Sequence, residues 1–151
     1  MTEPLVVRRE TQIAAPPATV FAFLTNPENI VSWMGAEARS EAQPGGLYLV
    51  KGVNSRRVAR GAFREVVPVH RLAYSFGWEG DEEVPPESSL VEIDLIDRDG
   101  GTLLRLTHSG LPNAVQCARH AEGWAHYLGR LAIAAAGRDP GIDQGVVHCV
   151  T

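Results

Sequence analysis

The 151-residue sequence has only two cysteines, and its histidines are scattered. Cys117 falls in a predicted helix and Cys149 in a loose tail, which is a poor disulfide framework and favours a reducing cytoplasm. His70, His126 and His148 show no metal-ligand spacing with one another or with either cysteine. We therefore expect no metal site.

Basic residues are also few, and long apolar runs are missing. The net charge of −4 and the pI near 5.7 argue against binding to nucleic acid or to an anionic membrane surface. No apolar run approaches the roughly 20 residues of a membrane helix. Residues 1–4 lack the basic and apolar parts of a signal peptide. With 44% hydrophobic and 21% charged residues, the composition predicts an ordinary globular domain of the cytoplasm.

Linear catalytic motifs are absent as well. The sequence contains no Gly-x-Ser-x-Gly, no phosphate loop and no dinucleotide fingerprint. Its paired glycines fall where turns are expected. We therefore expect no cofactor, and any catalysis would have to use scattered residues.

The order of predicted elements is the most informative feature. Residues 5–13 read as a strand, and prolines open two short helices, after Pro16 and at Pro27. Turn signals such as Pro44-Gly45-Gly46 and Asp99-Gly100-Gly101 then divide residues 36–108 into about six strands of an antiparallel meander. This is an α+β pattern and not a series of βαβ units.

The longest predicted helix covers residues 113–136. Asn113 is a suitable N-cap, and Gly137 is a suitable stop after the helix. Apolar and aromatic residues recur along one face at helical spacing: Cys117, His120, Trp124, Leu128, Leu131 and Ala135. We expect one domain over residues 1–137 and a C-terminal tail over residues 138–151, either flexible or attached to the surface.

This arrangement predicts a cavity. A wide, strongly twisted sheet cannot pack flat on a single long helix, so it curls around the helix while the two short helices fill the gap. Where the sheet curves away from the helix, a concave apolar space remains, and small molecules bind in such spaces.

Several segments carry a resemblance to a known family. They are the strand leading into residues 15–21, Asn26-Pro27 with Trp33, the sequence TLLRLTHSGL over residues 102–111, and the Gly-Trp at residues 123–124. The chain resembles the SRPBCC (START-like) superfamily over about residues 6–136, in the branch similar to the C-terminal domain of the heat-shock protein 90 ATPase activator. The resemblance implies a helix-grip fold that encloses a cavity. It does not by itself imply the activity in the name of that branch.

We predict that ten side chains line this cavity. Most are aromatic or aliphatic residues on the expected inner faces of the strands and the long helix, and two are histidines that would form a polar end. Each also has a simpler interpretation as a structural residue. That interpretation is favoured for Trp124, His108 and His120, and it is stronger for Tyr74 and Phe63 than for Trp78 and Trp33. The candidates are Trp33, Phe63, Tyr74, Phe76, Trp78, Leu106, His108, His120, Trp124 and Leu128.

A basic cluster and one glycine are further features of the sequence. The basic cluster falls on a predicted strand and consists of Arg56, Arg57, Arg60 and Arg64. If one of these arginines faced inward, it could pair with a ligand carboxylate. Charge exposed to solvent on the strand is the favoured interpretation. Gly123 is expected to allow close approach of another backbone.

Three functions remain open from the sequence. The first is a binding domain for a small apolar or aromatic molecule. The second is an enzyme similar to the helix-grip cyclases and dehydratases, with His108 or His120 as general acid or base. The third is a protein-interaction module associated with chaperones, which requires a contiguous exposed apolar patch. A homodimer is compatible with all three.

Overall fold

The computed structural model describes residues 5–52 and 57–143. Proline at the first helical position opens both short helices, and the side chain of Asn26 accepts a hydrogen bond from the Glu28 amide at the start of the second. In chain order the elements are β1 (Val7–Ile13), α1 (Pro17–Thr25), α2 (Pro27–Ile30), β2 (Glu37–Ser40), β3 (Leu47–Lys51), β4 (Val58–Val67), β5 (Arg71–Phe76), β6 (Ser89–Arg98), β7 (Gly101–Ser109) and α3 (Ala114–Ala135).

The strands form a seven-stranded antiparallel sheet in the order β1-β7-β6-β5-β4-β3-β2. Consecutive strands from β2 to β7 are neighbours, as expected for a meander, and β1 joins its far edge by pairing with β7. Asp99 and Gly100 both have positive φ, which is typical of the tight turn that connects β6 to β7. The predicted α+β helix-grip order is therefore confirmed.

The core lies between the sheet and α3. Alternate residues of β6 and β7 point to this side, as the period of a strand requires, and the apolar stripe of α3 packs over them. The α3 helix begins at the predicted cap, where the Asn113 side chain accepts a hydrogen bond from the Gln116 amide. Arg9 of β1 reaches the Ala121 carbonyl of α3 at 3.3 Å, so one flank of the helix lies near β1.

Two of the predicted arginines are exposed on β4, and an irregularity in the strand determines where one of them lies. The register shifts between Phe63 and Glu65, which leaves Arg64 as the extra residue of a β-bulge. Arg64 is exposed, and exposed Arg60 pairs with Glu79 at 3.1 Å. Neither arginine turns into the core. Arg56 lies outside the described residues.

The first part of the predicted tail is attached to α3. Arg130 donates hydrogen bonds to the carbonyls of Pro140 and Gly141, and His126 Nε2 lies 2.9 Å from Asp143 Oδ1. The rest of the tail, with His148 and Cys149, lies outside the described residues. The division at Gly137 stays a prediction.

Two features are absent from the described ranges. No helix there combines the length and the apolar character needed to cross a bilayer. In the same ranges, no group of three or more histidine, cysteine and acidic side chains could hold a metal ion.

Candidate functional site

Five rings meet between β5, β7 and α3. Phe76 lies at the centre, with ring centroids 5.1 Å from His108, 5.4 Å from Trp78, 6.1 Å from Trp124 and 6.2 Å from His120. The two imidazoles are perpendicular, and their centroids are 5.2 Å apart. We call these five residues the ring cluster. The structure thus brings half of the predicted site residues into one group.

His108 is fully buried, and both of its ring nitrogens have partners. Trp124 Nε1 donates to His108 Nδ1 at 3.0 Å. Because an indole nitrogen can only donate, the proton of His108 must be on Nε2, which faces Ser89 Oγ at 2.8 Å. The Ser89 hydroxyl then donates to the Phe76 carbonyl at 2.7 Å. This chain of hydrogen bonds leaves no lone pair of the imidazole for a reacting proton.

The burial of His108 also sets its charge. Desolvation, with a smaller effect of nearby His120, lowers the pKa of His108 to about 3. The imidazole is therefore neutral near pH 7, and it is a weak base there. This result does not favour His108 as the general base of an enzyme.

His120 has the opposite tautomer. Its Nδ1 lies 2.7 Å from the Gln116 carbonyl, which can only accept, so the proton is on Nδ1. Its Nε2 accepts a hydrogen bond from Trp78 Nε1 at 3.0 Å. His120 is 8% exposed, and Trp78 is half-buried, so this pair forms the outer rim of the ring cluster.

Phe63 and Tyr74 belong to a second group of rings, which sequence reasoning left incomplete. Tyr74 stacks on Tyr48 of β3 with 4.1 Å between ring centroids, and Phe63 meets both rings edge-on. Burial raises the pKa of Tyr48 to about 12. The alternation of Tyr48 and Val50 along β3 was the signal that could have predicted this position.

Trp33, Leu106 and Leu128 lie in the core without a ring contact to the cluster. Trp33 is buried against the two short helices, and its Nε1 donates to the Phe23 carbonyl at 2.9 Å. Leu106 and Leu128 are each 1% exposed. An enclosed cavity lined by all ten residues stays a prediction, since all of them except Trp78 are buried against neighbouring side chains.

An open cavity of about 620 Å³ lies on the other face of the sheet. Small residues of β5 and β7 leave space there, and longer charged side chains form its walls. No member of the ring cluster lines it. The lining includes Arg64, Arg71, Ala73, Ser75, Glu92 and Ser109.

The loop between β5 and β6 covers the exposed end of the ring cluster. Val84 is fully buried, and its carbonyl accepts a hydrogen bond from the Trp78 amide. Elsewhere the loop is held by polar contacts: Asp81 pairs with Arg57 at 3.3 Å, and Glu83 accepts from the Asn113 side chain at 3.0 Å. We call residues 79–88 the covering loop.

Two outcomes differ from the expectations. The Gly123 prediction is wrong: a Cβ at this half-buried residue would meet no atom within 4 Å, so no backbone approaches it closely. Ser89 was missed because the strand was expected to begin at Leu90, one residue later. Its place in the alternation with Val91 and Ile93 would have put its hydroxyl on the inner face.

Known proteins resemble this chain in sequence and in fold. The sequence profile of the family described as Activator of Hsp90 ATPase homolog 1-like protein matches residues 14–136. A search of curated protein sequences gave no match.

Several solved structures are similar to this chain. The solution structure of an AHSA1-like protein from Rhizobium etli is 65% identical with a TM-score of 0.74, and the match covers 100% of this chain and 96% of that one. The Aha1 dimer from Colwellia psychrerythraea is 16% identical with a TM-score of 0.76, covering 87% of this chain and 96% of that one. An HSP90 activator from Plasmodium falciparum is 18% identical with a TM-score of 0.69, covering 85% and 94%. The last two show likeness of fold alone. From the profile match and the Rhizobium etli relative together, the chain belongs to the Activator of Hsp90 ATPase homolog 1-like family, whose structural neighbours share the helix-grip fold of the SRPBCC type.

Proposed function

We propose that this domain binds a small apolar or aromatic molecule at the Trp78 end of the space between the sheet and α3. The observation that carries the proposal is the half-buried Trp78 ring, hydrogen-bonded to His120 at the rim of the ring cluster. A large apolar surface beside a few fixed polar groups is the usual composition of a small-molecule site.

Access to this end depends on the covering loop. Its side-chain contacts to Arg57, Arg60 and α3 are made by exposed or half-buried charged and polar groups, which contribute little to stability, about 0–1 kcal/mol each, and a backbone hydrogen bond from the Glu79 amide to the Val58 carbonyl adds to them. Val84 is its fully buried apolar anchor. A ligand that takes the place of Val84 beside Trp78 would replace one apolar contact with a larger one, and this burial would offset the cost of opening the loop.

The two histidines favour binding over acid–base catalysis. Both nitrogens of His108 and both nitrogens of His120 are engaged, and each ring is held in one tautomer. A general base needs a free lone pair within reach of the substrate. In this arrangement the imidazoles orient the two indoles, and the indoles form part of the binding surface.

The interaction-module hypothesis has less support on the surface. The exposed large apolar residues of the described ranges come from several parts of the fold, and single exposed apolar residues are normal: Leu5, Val31, Val67, Val115, Ile133 and Ile142. A homodimer remains compatible with ligand binding, and the Colwellia psychrerythraea relative is described as a dimer.

A thermal-shift screen tests the proposal. The protein is heated with fatty acids, flavonoids, polyketide-like aromatics and isoprenoids, and a ligand at about 100 times its Kd should stabilise the fold by roughly 2.7 kcal/mol. We expect a hit whose stabilisation is lost in Trp78→Ala. The matched control is Tyr127→Ala, which also removes a half-buried ring from outside the ring cluster.

Two results would contradict the proposal. One is a panel without any stabilising compound. The other is a hit whose stabilisation is unchanged in Trp78→Ala, because the ligand would then lie elsewhere.

A further inference from the structure

Arg119 of α3 is a cation that has no role in the proposed function. The residue is half-buried, and its Nε is fully enclosed without a hydrogen-bond partner. Within the described ranges, no hydrogen bond or ion pair reaches its guanidinium. Leaving a buried N–H donor unpaired costs free energy that a suitable acceptor would recover.

Two other polar residues on the same flank of α3 are tied to the protein. Residues 119, 123, 126 and 130 follow one another at helical spacing and share this flank. Arg130 donates to the Trp33 carbonyl at 3.0 Å, and His126 pairs with Asp143. Arg119 therefore differs from Arg130 and His126 in having no partner of its own.

Open space lies beside Arg119 on this flank. Gly123, one turn further along the helix, is half-buried, yet a Cβ there would meet nothing within 4 Å. Arg119 also directly precedes His120 in the helix, and His120 holds Trp78 through its Nε2. Gly123 therefore leaves a gap one helical turn from Arg119, and Arg119 is the sequence neighbour of the histidine that holds the aromatic rim.

A second cation lies at the same end of the molecule. The Arg57 guanidinium carbon is 4.2 Å from the centroid of the Trp78 ring, a cation–π contact. Arg57 also pairs with Asp81 of the covering loop, so its charge is partly balanced. The aromatic rim thus carries one paired cation over Trp78, while Arg119, which has no partner in the described ranges, directly precedes His120 of the rim.

We propose that the ligand of this domain is an aromatic or apolar molecule with one anionic group, a carboxylate or sulfonate, which Arg119 binds at the gap beside Gly123. This inference rests on the proposed function and specifies its ligand class. A guanidinium presents two parallel N–H donors that fit such a group better than they fit a neutral one.

Two fluorescent probes with the same aromatic skeleton separate the charge from the rest of the ligand. 8-Anilinonaphthalene-1-sulfonate carries an anionic group, and N-phenyl-1-naphthylamine does not. Titration of the folded protein with each probe gives two dissociation constants. We expect Arg119→Gln to weaken binding of the sulfonate about tenfold, as the loss of one charge-assisted contact implies, while binding of the neutral probe changes less than twofold.

The control is Arg8→Gln, which makes the same charge change at an exposed residue of β1. Binding of both probes should be unchanged in this variant. If Arg119→Gln weakens both probes equally or neither of them, Arg119 does not select an anionic group, and the proposed function still stands. If neither probe binds the unmodified protein, both the inference and the proposed function are overturned.

Discussion

At the scale of single residues, the positions of the protons on the two histidines determine the hydrogen bonds of the ring cluster. Trp124 and Trp78 each donate to a histidine, and the two histidines therefore carry their own protons on different nitrogens. Protonation of either ring would place two N–H groups against each other. The cluster needs both imidazoles neutral, and this requirement makes the fold sensitive to acid.

The pKa of His108 determines whether the free energy of unfolding rises or falls as the pH is lowered. Its pKa is about 3 in the folded protein and near 6.5 in an unfolded chain, so the unfolded state binds more protons below pH 6.5. The stabilisation is fully present above pH 6.5 and is lost as the pH falls toward 3. We expect the free energy of unfolding in urea to decrease by about 2 kcal/mol between pH 7 and pH 5 from this group.

Two variants assign the effect. His108→Gln should be less stable at pH 7 but should show a flatter pH dependence over the same range. His70→Gln, at an exposed position, should keep the slope of the unmodified protein. An unchanged slope in His108→Gln would contradict the assignment.

Ser89 provides a second prediction at this scale. Ser89→Ala removes the acceptor of the His108 proton and the side-chain donor to the Phe76 carbonyl, leaving the buried Nε2–H of His108 unpaired. We expect a loss of about 2–3 kcal/mol in urea unfolding. Ser88→Ala, at the exposed neighbouring position, should change the stability by less than about 0.5 kcal/mol. Similar losses in both variants would show that the hydroxyl network has no special role.

At the scale of elements, α3 combines a well-formed start with two interior glycines. Asn113 caps its first turn, and Gly137 follows its last turn with a φ of 86°. Gly129 lies on the exposed side of the helix, and no atom is within 4 Å of a Cβ built there. Glycine at this position makes the helix less stable than alanine would.

Gly129 inside the helix and Gly137 after it predict opposite effects of the same substitution. Gly129→Ala should raise the free energy of unfolding by about 0.5–1 kcal/mol, because alanine restricts the unfolded chain and fits the helix. Gly137→Ala should lower it by about 1–2 kcal/mol, because a residue with a Cβ is strained at positive φ. Urea unfolding measures both. A destabilised Gly129→Ala would mean that something packs on that side of α3.

At the scale of the whole molecule, the element order followed from local chemistry that a sequence displays. Prolines open α1 and α2, Asp99-Gly100 turns β6 into β7, and the stripe through Trp124 predicts the buried face of α3. These signals act between residues that are close in the chain, so the helix-grip order could be predicted.

The site was predicted less completely, because its contacts join distant parts of the chain. His108 and His120 were found as inward-facing residues, but the partners that fix their tautomers come from Ser89, Trp124 and Trp78. The bulge at Arg64 depends on the register of β4 against β5, which no short motif encodes. The missing partner of Arg119 is likewise a property of the folded molecule alone.

The most direct test of the central claim is an NMR titration of the ¹⁵N-labelled protein with N-phenyl-1-naphthylamine. Binding at the rim of the ring cluster predicts saturable shifts of the indole N–H signals of Trp78 and Trp124 and of the Val84 amide. The amides of Arg64 and Glu87, which line the cavity on the outer face of the sheet, should stay in place. Unchanged indole signals throughout the titration, or shifts centred on the outer cavity, would contradict the account.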